Sequence, residues 1–306
     1  MNFSWASDIH LNFISEQSRF YFYDIFKDYP SDNILITGDI ADAEYTYSYL
    51  AELALHLKDT SKTVYFVLGN HDYYHGSVPD YRNEMKALCK RYSNMVYLTH
   101  TPGIDLGDGF TLVVVDGWAD ARNGNYEDSP VVLNDSRYIK EISPWKNEME
   151  RMANKMNKRK VRETIRLNMQ KLADEDAYIL ESQIDKVLSN DVKPHTIIIA
   201  THVPPVKSYI FEDKPCTDDY LPFFTSKVLN DLLIKKAAEN PNVDFFSFSG
   251  HTHQDTRFIE TQNLECYIAK AEYMYPKIQD IKINSFKNKM IRPVEKIEFN
   301  NGKGWK

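Results

Sequence analysis

Short apolar runs closed by polar or glycine residues recur along the chain, at Phe3–Ser7, Asn33–Thr37, Thr63–Leu68, Thr111–Asp116, Thr196–Thr201 and Val243–Ser249. Runs of this length, rich in β-branched and aromatic residues, predict buried strands. Between the first of them the apolar spacing changes to that of helices, over Glu16–Lys27, Ala43–Lys58 and Asp80–Tyr92. Strands alternating with helices of this length predict a layered α/β fold. Towards the C-terminus the pattern shifts again: Thr256–Glu260, Leu264–Ala269, Asp280–Ser285 and Val294–Phe299 read as successive strands with little helix between them. The sheet is therefore expected to be mixed, with an antiparallel portion. No internal repeat or low-complexity linker interrupts the chain.

The segment from about Asp135 to Asn190 is strongly helical in pattern apart from Pro144, and predicts a helical insertion between two strands of the main fold. Within it, Arg151, Lys155, Lys158, Arg159, Lys160, Arg162, Arg166 and Lys171 stand against Glu163 alone. Such a run reads either as a solvated helix face or as a basic cap over a site that receives phosphate.

Composition narrows the classes without naming one. Across 306 residues, 42% are hydrophobic and 26% charged, which excludes wholesale disorder. The net charge is 37 − 44 = −7, which counts against a dedicated nucleic-acid coat and leaves small anionic substrates open. Cys89, Cys216 and Cys266 are far apart and have neither disulfide-framework nor thiolate-zinc spacing. No apolar run approaches the ~20 residues that span a bilayer, and the N-terminal residues lack the charged and apolar regions of a signal peptide. A cytoplasmic protein with no membrane partner is expected.

Chemistry enters at the ends of the strands. The first run leads into Asp8-Ile9-His10, the second into Gly38-Asp39-Ile40-Ala41-Asp42, and the third into Gly69-Asn70-His71-Asp72. The fifth ends at His202, and the sixth leads into Gly250-His251-Thr252-His253. Open α/β sheets bind ligands at the carboxyl ends of their strands, so these five clusters are expected to share one edge. Asp, His and Asn together, without thiolate, suit manganese, iron or zinc better than copper(I) or a calcium cage. The donors exceed what one ion needs, and two ions sharing a bridging carboxylate account for the surplus. Paired ions ~3.5–4 Å apart clamp the attacking and leaving oxygens of a displacement at phosphorus.

The order D-x-H, G-D-x-x-D, G-N-H-D, strand-end His and G-H-x-H resembles the calcineurin-like metallophosphoesterases, and its motifs extend from Asp8 to His253. The resemblance implies a four-layer α/β/β/α sandwich of two mixed sheets flanked by helices. It also implies one domain over 1–306 that carries the helical insertion at about 135–190. By the same resemblance Asp8, His10, Asp39 and His253 hold one metal ion. Asp39, Asn70, His202 and His251 hold the other, with Asp39 bridging. His71 is no ligand in that family; it contacts the phosphate and assists the leaving oxygen, and Asp42 hydrogen-bonds it. The implied activity is hydrolysis of phosphate esters by a metal-activated hydroxide, with two divalent or trivalent ions per chain, manganese foremost and iron or zinc as alternatives.

Departures from the family pattern bear on substrate. The Ser/Thr protein-phosphatase branch carries an arginine directly after the second acid of G-D-x-x-D, followed by G-N-H-E; here Ala43 and Asp72 stand in those places. Phosphodiester or nucleotide-type substrates are therefore expected ahead of phosphomonoesters and phosphoproteins. A nuclease that uses the basic segment is a further alternative, although a nucleic-acid partner is not favoured. A non-catalytic binding scaffold ranks last, because every expected ligand is present. Tyr73, Arg122 and Arg137 are candidate substrate contacts. Tyr74 and His75, with Tyr73, are expected near the metals, either stacking on substrate or anchoring the loop. Trp118, Asp120, Arg122 and Tyr126 are candidates to rim the pocket, and 203–224 to wall it. His56, His100 and His195 are read as structural.

Overall fold

A computed structural model describes residues 1–97, 99, 102–145, 150–151, 157–211, 214–283 and 292–294. Along the chain β1 (Asn2–Ala6), α1 (Glu16–Asp28), β2 (Asn33–Thr37), α2 (Ala43–His56), β3 (Thr63–Val67), α3 (Val78–Arg91) and β4 (Met95–Tyr97) alternate. The strands β5 (Ile104–Gly107) and β6 (Phe110–Val114), the one-turn helix α4 (Asp135–Tyr138), the long helix α5 (Lys158–Leu188) and β7 (Thr196–Ala200) follow. A small hairpin, β8 (Ile210–Phe211) and β9 (Lys214–Pro215), precedes α6 (Leu221–Phe224) and α7 (Lys227–Glu239). The remaining strands are β10 (Asp244–Ser249), β11 (Thr256–Thr261), β12 (Leu264–Ile268), β13 (Gln279–Lys282) and β14 (Arg292–Val294).

Two six-stranded sheets result, ordered β14-β13-β1-β2-β3-β4 and β11-β12-β10-β7-β6-β5. In the first, β1 to β4 run parallel, while β13 pairs antiparallel with β1 and β14 with β13. In the second, β12, β10, β7 and β6 run parallel and the edge strands β11 and β5 are antiparallel. Both sheets are mixed, as the change of pattern towards the C-terminus predicts.

The strand period of two residues sorts the side chains into layers. On β2, Leu35 points into the space between the sheets, with Trp5 of β1, Val114 of β6 and Phe248 of β10. The rings of Trp5 and Phe248 meet edge to face at 5.2 Å. Ile34 and Ile36 point the other way, onto Phe22 and Phe26 of α1 and Leu50 and Leu53 of α2. On the second sheet Ile197 and Ile199 pack outward against Leu180 and Ile184 of α5 and Leu229 and Leu233 of α7. The fold is therefore an α/β/β/α sandwich of two mixed sheets flanked by helices.

Local chemistry sets the helix starts. Ser15 caps α1 by accepting from the Ser18 amide at 3.2 Å, and Asn157 caps α5 by accepting from Lys160 at 2.9 Å. The helical pattern expected through 135–190 is divided. After α4, Ile139 turns to an extended conformation, is fully buried, and bridges Gly76 as an isolated parallel pair. A β-branched residue drawn into the core on an extended backbone ends the helix there. The long helix α5 begins at Lys158; its stretch from Ala177 to Leu188 lies in the outer apolar layer of the second sheet. The short strands β4, β5, β8 and β9 have no counterpart in the sequence reading, being two to four residues long. The expected strands at 280–285 and 294–299 fall partly outside the described residues, as His100 does wholly.

Candidate metal centre

The carboxyl ends of β1, β2, β3, β7 and β10 meet at one edge of the sandwich, and the polar residues that follow them converge there. Asp8, His10, Asp39, His251 and His253 all have positive φ, between 40° and 66°. Asp and His tolerate this left-handed region better than most residues, at a cost on the order of 1 kcal/mol or more each. Each turn sends its side chain back over the sheet edge. Two glycines make room: a Cβ at Gly250 would collide with Ser7 Oγ and Asp8 Oδ2, and one at Gly69 with Asp39 Oδ1.

Three overlapping groups have ligand atoms within 4.8 Å of one another: Asp8, His10 and His253; His10, Asp39 and His71; and Asp39, His202 and His251. Asp39 faces two ways. Its Oδ1 lies 3.4 Å from His202 Nε2, and its Oδ2 lies 3.8 Å from His10 Nε2 and 4.0 Å from His71 Nε2. On the far side His253 Nε2 is 3.2 Å from Asp8 Oδ1. The His251 amide and Ser7 Oγ donate to the Asp8 carboxylate.

The hydrogen-bond chemistry marks this as a place for cations. His202 Nδ1 donates to the Thr37 carbonyl at 2.9 Å, and His251 Nε2 donates to the Phe223 carbonyl at 2.9 Å. In the neutral rings the remaining nitrogens, 3.2 Å apart, both carry lone pairs. Asn70 Oδ1 joins them 3.0 Å from His202 Nε2. Asp135 fixes that amide by accepting from Asn70 Nδ2 at 2.9 Å. With both rings neutral, the two nitrogens, Asn70 Oδ1 and Asp39 Oδ1 offer only lone pairs to the point they share, which therefore takes a cation. Burial opposes a proton on His202, but Asp39, Asp8 and the Thr37 carbonyl prevail and raise its pKa. His10 makes the same case separately, since it is fully buried and among the described residues neither ring nitrogen has a hydrogen-bond partner.

The titration behaviour follows from burial set against charge. Burial, joined by the charges of His71 and His253, brings His10 down to about 4 despite Asp39 and Asp8 beside it. Burial, and then His202, lower His251 as well, so both are neutral imidazoles able to donate a lone pair. Burial opposes ionisation of Asp8, but His253, His202 and His10 outweigh it and hold the carboxyl far below its usual range. For His71 burial disfavours the charge, yet Asp39, the bond to Asp42 and Asp135 prevail and raise it to about 9. Asp42 occupies the N-cap of α2, but its carboxylate leaves the helix amides and accepts from His71 Nδ1 at 3.2 Å.

The expected ligands and the His71–Asp42 pair are thus brought together. Among the expected substrate contacts the outcome differs. Tyr73 is fully buried, and its hydroxyl donates to Asp116 at 2.7 Å, so it has no surface to offer a substrate. The Arg122 guanidinium is engaged by Asp174 at 2.8 Å and Asp120 at 3.4 Å, and its place as a phosphate contact is taken by those carboxylates. Arg137 is exposed beside the Tyr138 ring and lines a cavity next to the centre. Trp118 and Asp120 are buried, whereas Tyr126 and Phe223 line that cavity. His56 binds Asp24 and His195 binds the Asp108 carbonyl, both away from the centre.

Two participants are absent from the sequence reading. Asp135 also accepts from Tyr74 OH at 2.9 Å; its only sequence signal was a position opening a helical segment. Tyr273 lies with its ring 4.5 Å from His10 and 5.1 Å from His253, and pairs edge to face with Phe13 at 5.3 Å. No local motif surrounds it.

Residues 1–255 match the calcineurin-like phosphoesterase family, and the chain belongs to that family. Among solved structures it is similar to a phosphopantetheinyl hydrolase from Mycobacterium tuberculosis, at 13% identity over 89% of this chain and 90% of that one, with a TM-score of 0.56. It is also similar to a dimetal phosphatase from Danio rerio, at 13% identity over 97% and 98% of the two chains, with a TM-score of 0.57. At that identity the likeness is one of fold. No curated protein matches the sequence. Family and site together make this a metal-dependent phosphoesterase, a hydrolase. No described helix is long and apolar enough to cross a membrane.

Proposed function

We propose that the chain hydrolyses phosphodiester or nucleotide-type substrates at a centre of two metal ions. Asp8, His10, Asp39 and His253 would hold one ion; Asp39, Asn70, His202 and His251 would hold the other. The observation that carries the reading is the convergence of His202 Nε2, His251 Nδ1, Asn70 Oδ1 and Asp39 Oδ1, which with both rings neutral can all give lone pairs to one cation. The division of the two Asp39 oxygens between His202 and His10 supports the bridging role. Oxygen and imidazole donors favour manganese, with iron or zinc as alternatives. When bound, such ions act as Lewis acids towards phosphoryl oxygens and make water a nucleophile near neutral pH.

The chain's own contribution centres on His71. Its Nδ1–H is held by Asp42, which leaves Nε2–H directed towards the Asp39 side of the centre. A proton held there neutralises charge on the phosphoryl group and is available to the departing alkoxide. Asp135 holds Asn70 with its oxygen turned inward, and the Thr37 and Phe223 carbonyls set which nitrogens of His202 and His251 face the centre. Ala43 provides no guanidinium to clamp a phosphoprotein, which supports the order of substrates. One catalytic domain over 1–306, with the segment at 135–190 beside the centre, belongs to the same reading. A cytoplasmic setting is supported by the free cysteines Cys89, Cys216 and Cys266.

The test is a panel of bis-p-nitrophenyl phosphate, p-nitrophenyl phosphate, cyclic nucleotides and single-stranded DNA, assayed after chelation and addition of manganese. Faster turnover of the diester than the monoester is expected. A preference for the monoester would make the chain a phosphomonoesterase. DNA cleavage alone would make it a nuclease, and inertness with metal bound would make it a scaffold.

A further inference from the structure

A cavity of about 700 Å³ lies between the turn at 131–145 and the first turns of α5, one residue removed from the metal centre. Asp135, in its wall, is the carboxylate that orients Asn70, and Phe223, also in its wall, supplies the carbonyl that holds His251. His71 connects to it as well: its ring lies 4.4 Å from that of Tyr74, whose hydroxyl meets Asp135.

The lining has two characters. Val131, Leu133, Ile142, Val161, Ile165 and Trp145 form an apolar wall, too extensive for a bare phosphate or a metal ion. Arg137, Lys158 and Arg162 also line the cavity, and among the described residues none of them has a carboxylate partner. Arg137 lies 5.3 Å from the Tyr138 ring, and Arg162 stacks on Tyr126 at 4.8 Å and donates to its carbonyl. Among the described residues the one acid in the lining, Asp135, is occupied by Asn70 and Tyr74. Uncompensated cations around a low-dielectric wall raise the local concentration of anions, and guanidinium groups recognise them with fixed geometry.

We propose that this cavity receives the alcohol portion of the substrate, and that this portion is an aromatic or other apolar body bearing a second negative charge. The assignment rests on the phosphoesterase reading, which places the departing oxygen on the His71 side of the centre. It gives the basic segment at 151–171 a use: Lys158 and Arg162 read the anion, and Val161 and Ile165, on the same face of α5, pack the apolar body. Residues Arg137, Lys158 and Arg162 then set specificity without touching the phosphorus.

Two measurements test this, one independent of catalysis. The fluorescent anion 6-hydroxynaphthalene-2-sulfonate, which resembles such a product, is titrated into the full chain in excess chelator. Saturable one-to-one binding is expected, weakened about tenfold or more by Ile165→Asp and by Lys158→Glu. Lys158 is exposed, so its variant keeps the fold even where a charge at Ile165 does not. The second measurement compares kcat/KM for phenyl phosphate, 2-naphthyl phosphate and 6-sulfo-2-naphthyl phosphate in the manganese-loaded protein. A rise along that series is expected, the last step collapsing in Lys158→Glu. Absence of saturable sulfonate binding, or equal binding by wild type and both variants, overturns the proposal even if bis-p-nitrophenyl phosphate is hydrolysed. Sulfonate binding without hydrolysis of any ester leaves the cavity assigned and removes the reaction.

Discussion

His202 Nε2 and His251 Nδ1 face each other at 3.2 Å because the other nitrogen of each ring is committed to a backbone carbonyl. Thr37, which ends β2, and Phe223, in α6, make those commitments from elements far apart in the chain. The pairing is therefore a product of the fold, fixed before any ion arrives. A proton or a metal ion answers the field of Asp39 and Asp8 at that point, and the two compete for it.

Asp135 acts through Asn70. Replacement by Ala leaves the amide free to rotate, so the oxygen no longer faces His202. Metal affinity, measured by competition with a chromophoric chelator, should fall ~10–100-fold while the fold persists. Asp135→Asn, which can still accept one hydrogen bond, should recover part of it. Unchanged affinity in Asp135→Ala would remove the positioning role.

Gly250 has no space for a side chain. In Gly250→Ala the new methyl group must displace Ser7 or the Asp8 carboxylate. Lower thermal stability and loss of bound metal are expected together, read by calorimetry and by elemental analysis. A variant of wild-type stability and metal content would show that the turn shifts without disturbing Asp8.

His71 gives the metal-free protein a pH dependence. Its pKa is raised from 6.5 to about 9, so the folded state holds the proton more tightly than the unfolded one. The stability this contributes is fully present below the unfolded value and is lost as pH rises through the folded value. In excess chelator, the gap in denaturant midpoint between wild type and His71→Ala should be larger at about pH 6 than at about pH 10. A gap that widens with pH would contradict the assigned charge.

Arg82 carries a structural charge cluster next to the centre. Its Nε meets Asp116 at 2.8 Å and its Nη2 meets Asp176 of α5 at 2.7 Å, all three groups being buried. Asp116 also accepts from Leu68 N, Tyr73 OH, Tyr97 OH and Thr99 Oγ1. Arg82→Met leaves two buried carboxylates without their cation and should cost about 3–5 kcal/mol in denaturant unfolding. A loss below about 1 kcal/mol would mean that the hydroxyl and amide donors suffice.

What the sequence discloses here follows the distance over which each feature is specified. The strands that carry Asp8, Asp39, His202 and His251 announce themselves because apolar runs stop abruptly at charged residues. Metal chemistry is likewise local, in pairs such as Asp8 and His10 or His251 and His253. Asp135 and Tyr273 reach the centre only through tertiary packing, and no neighbour in the chain signals it. Tyr73 shows the opposite error: adjacency to His71 suggested a substrate contact, but the short helical turn at 71–73 rotates its ring inward to Asp116. The basic run at 151–171 divides, with Lys155 outside the described residues. Arg159 and Lys160 are exposed to solvent, while Lys158 and Arg162 line the cavity.

The central claim is that hydrolysis depends on ions held in common by Asp39. Protein stripped by chelation should be inactive on bis-p-nitrophenyl phosphate and regain activity as manganese is added, saturating at two ions per chain by elemental analysis. Asp39→Asn should lose most of that metal and the activity with it. Full activity in the stripped protein, or two bound ions in Asp39→Asn with undiminished turnover, would contradict the account.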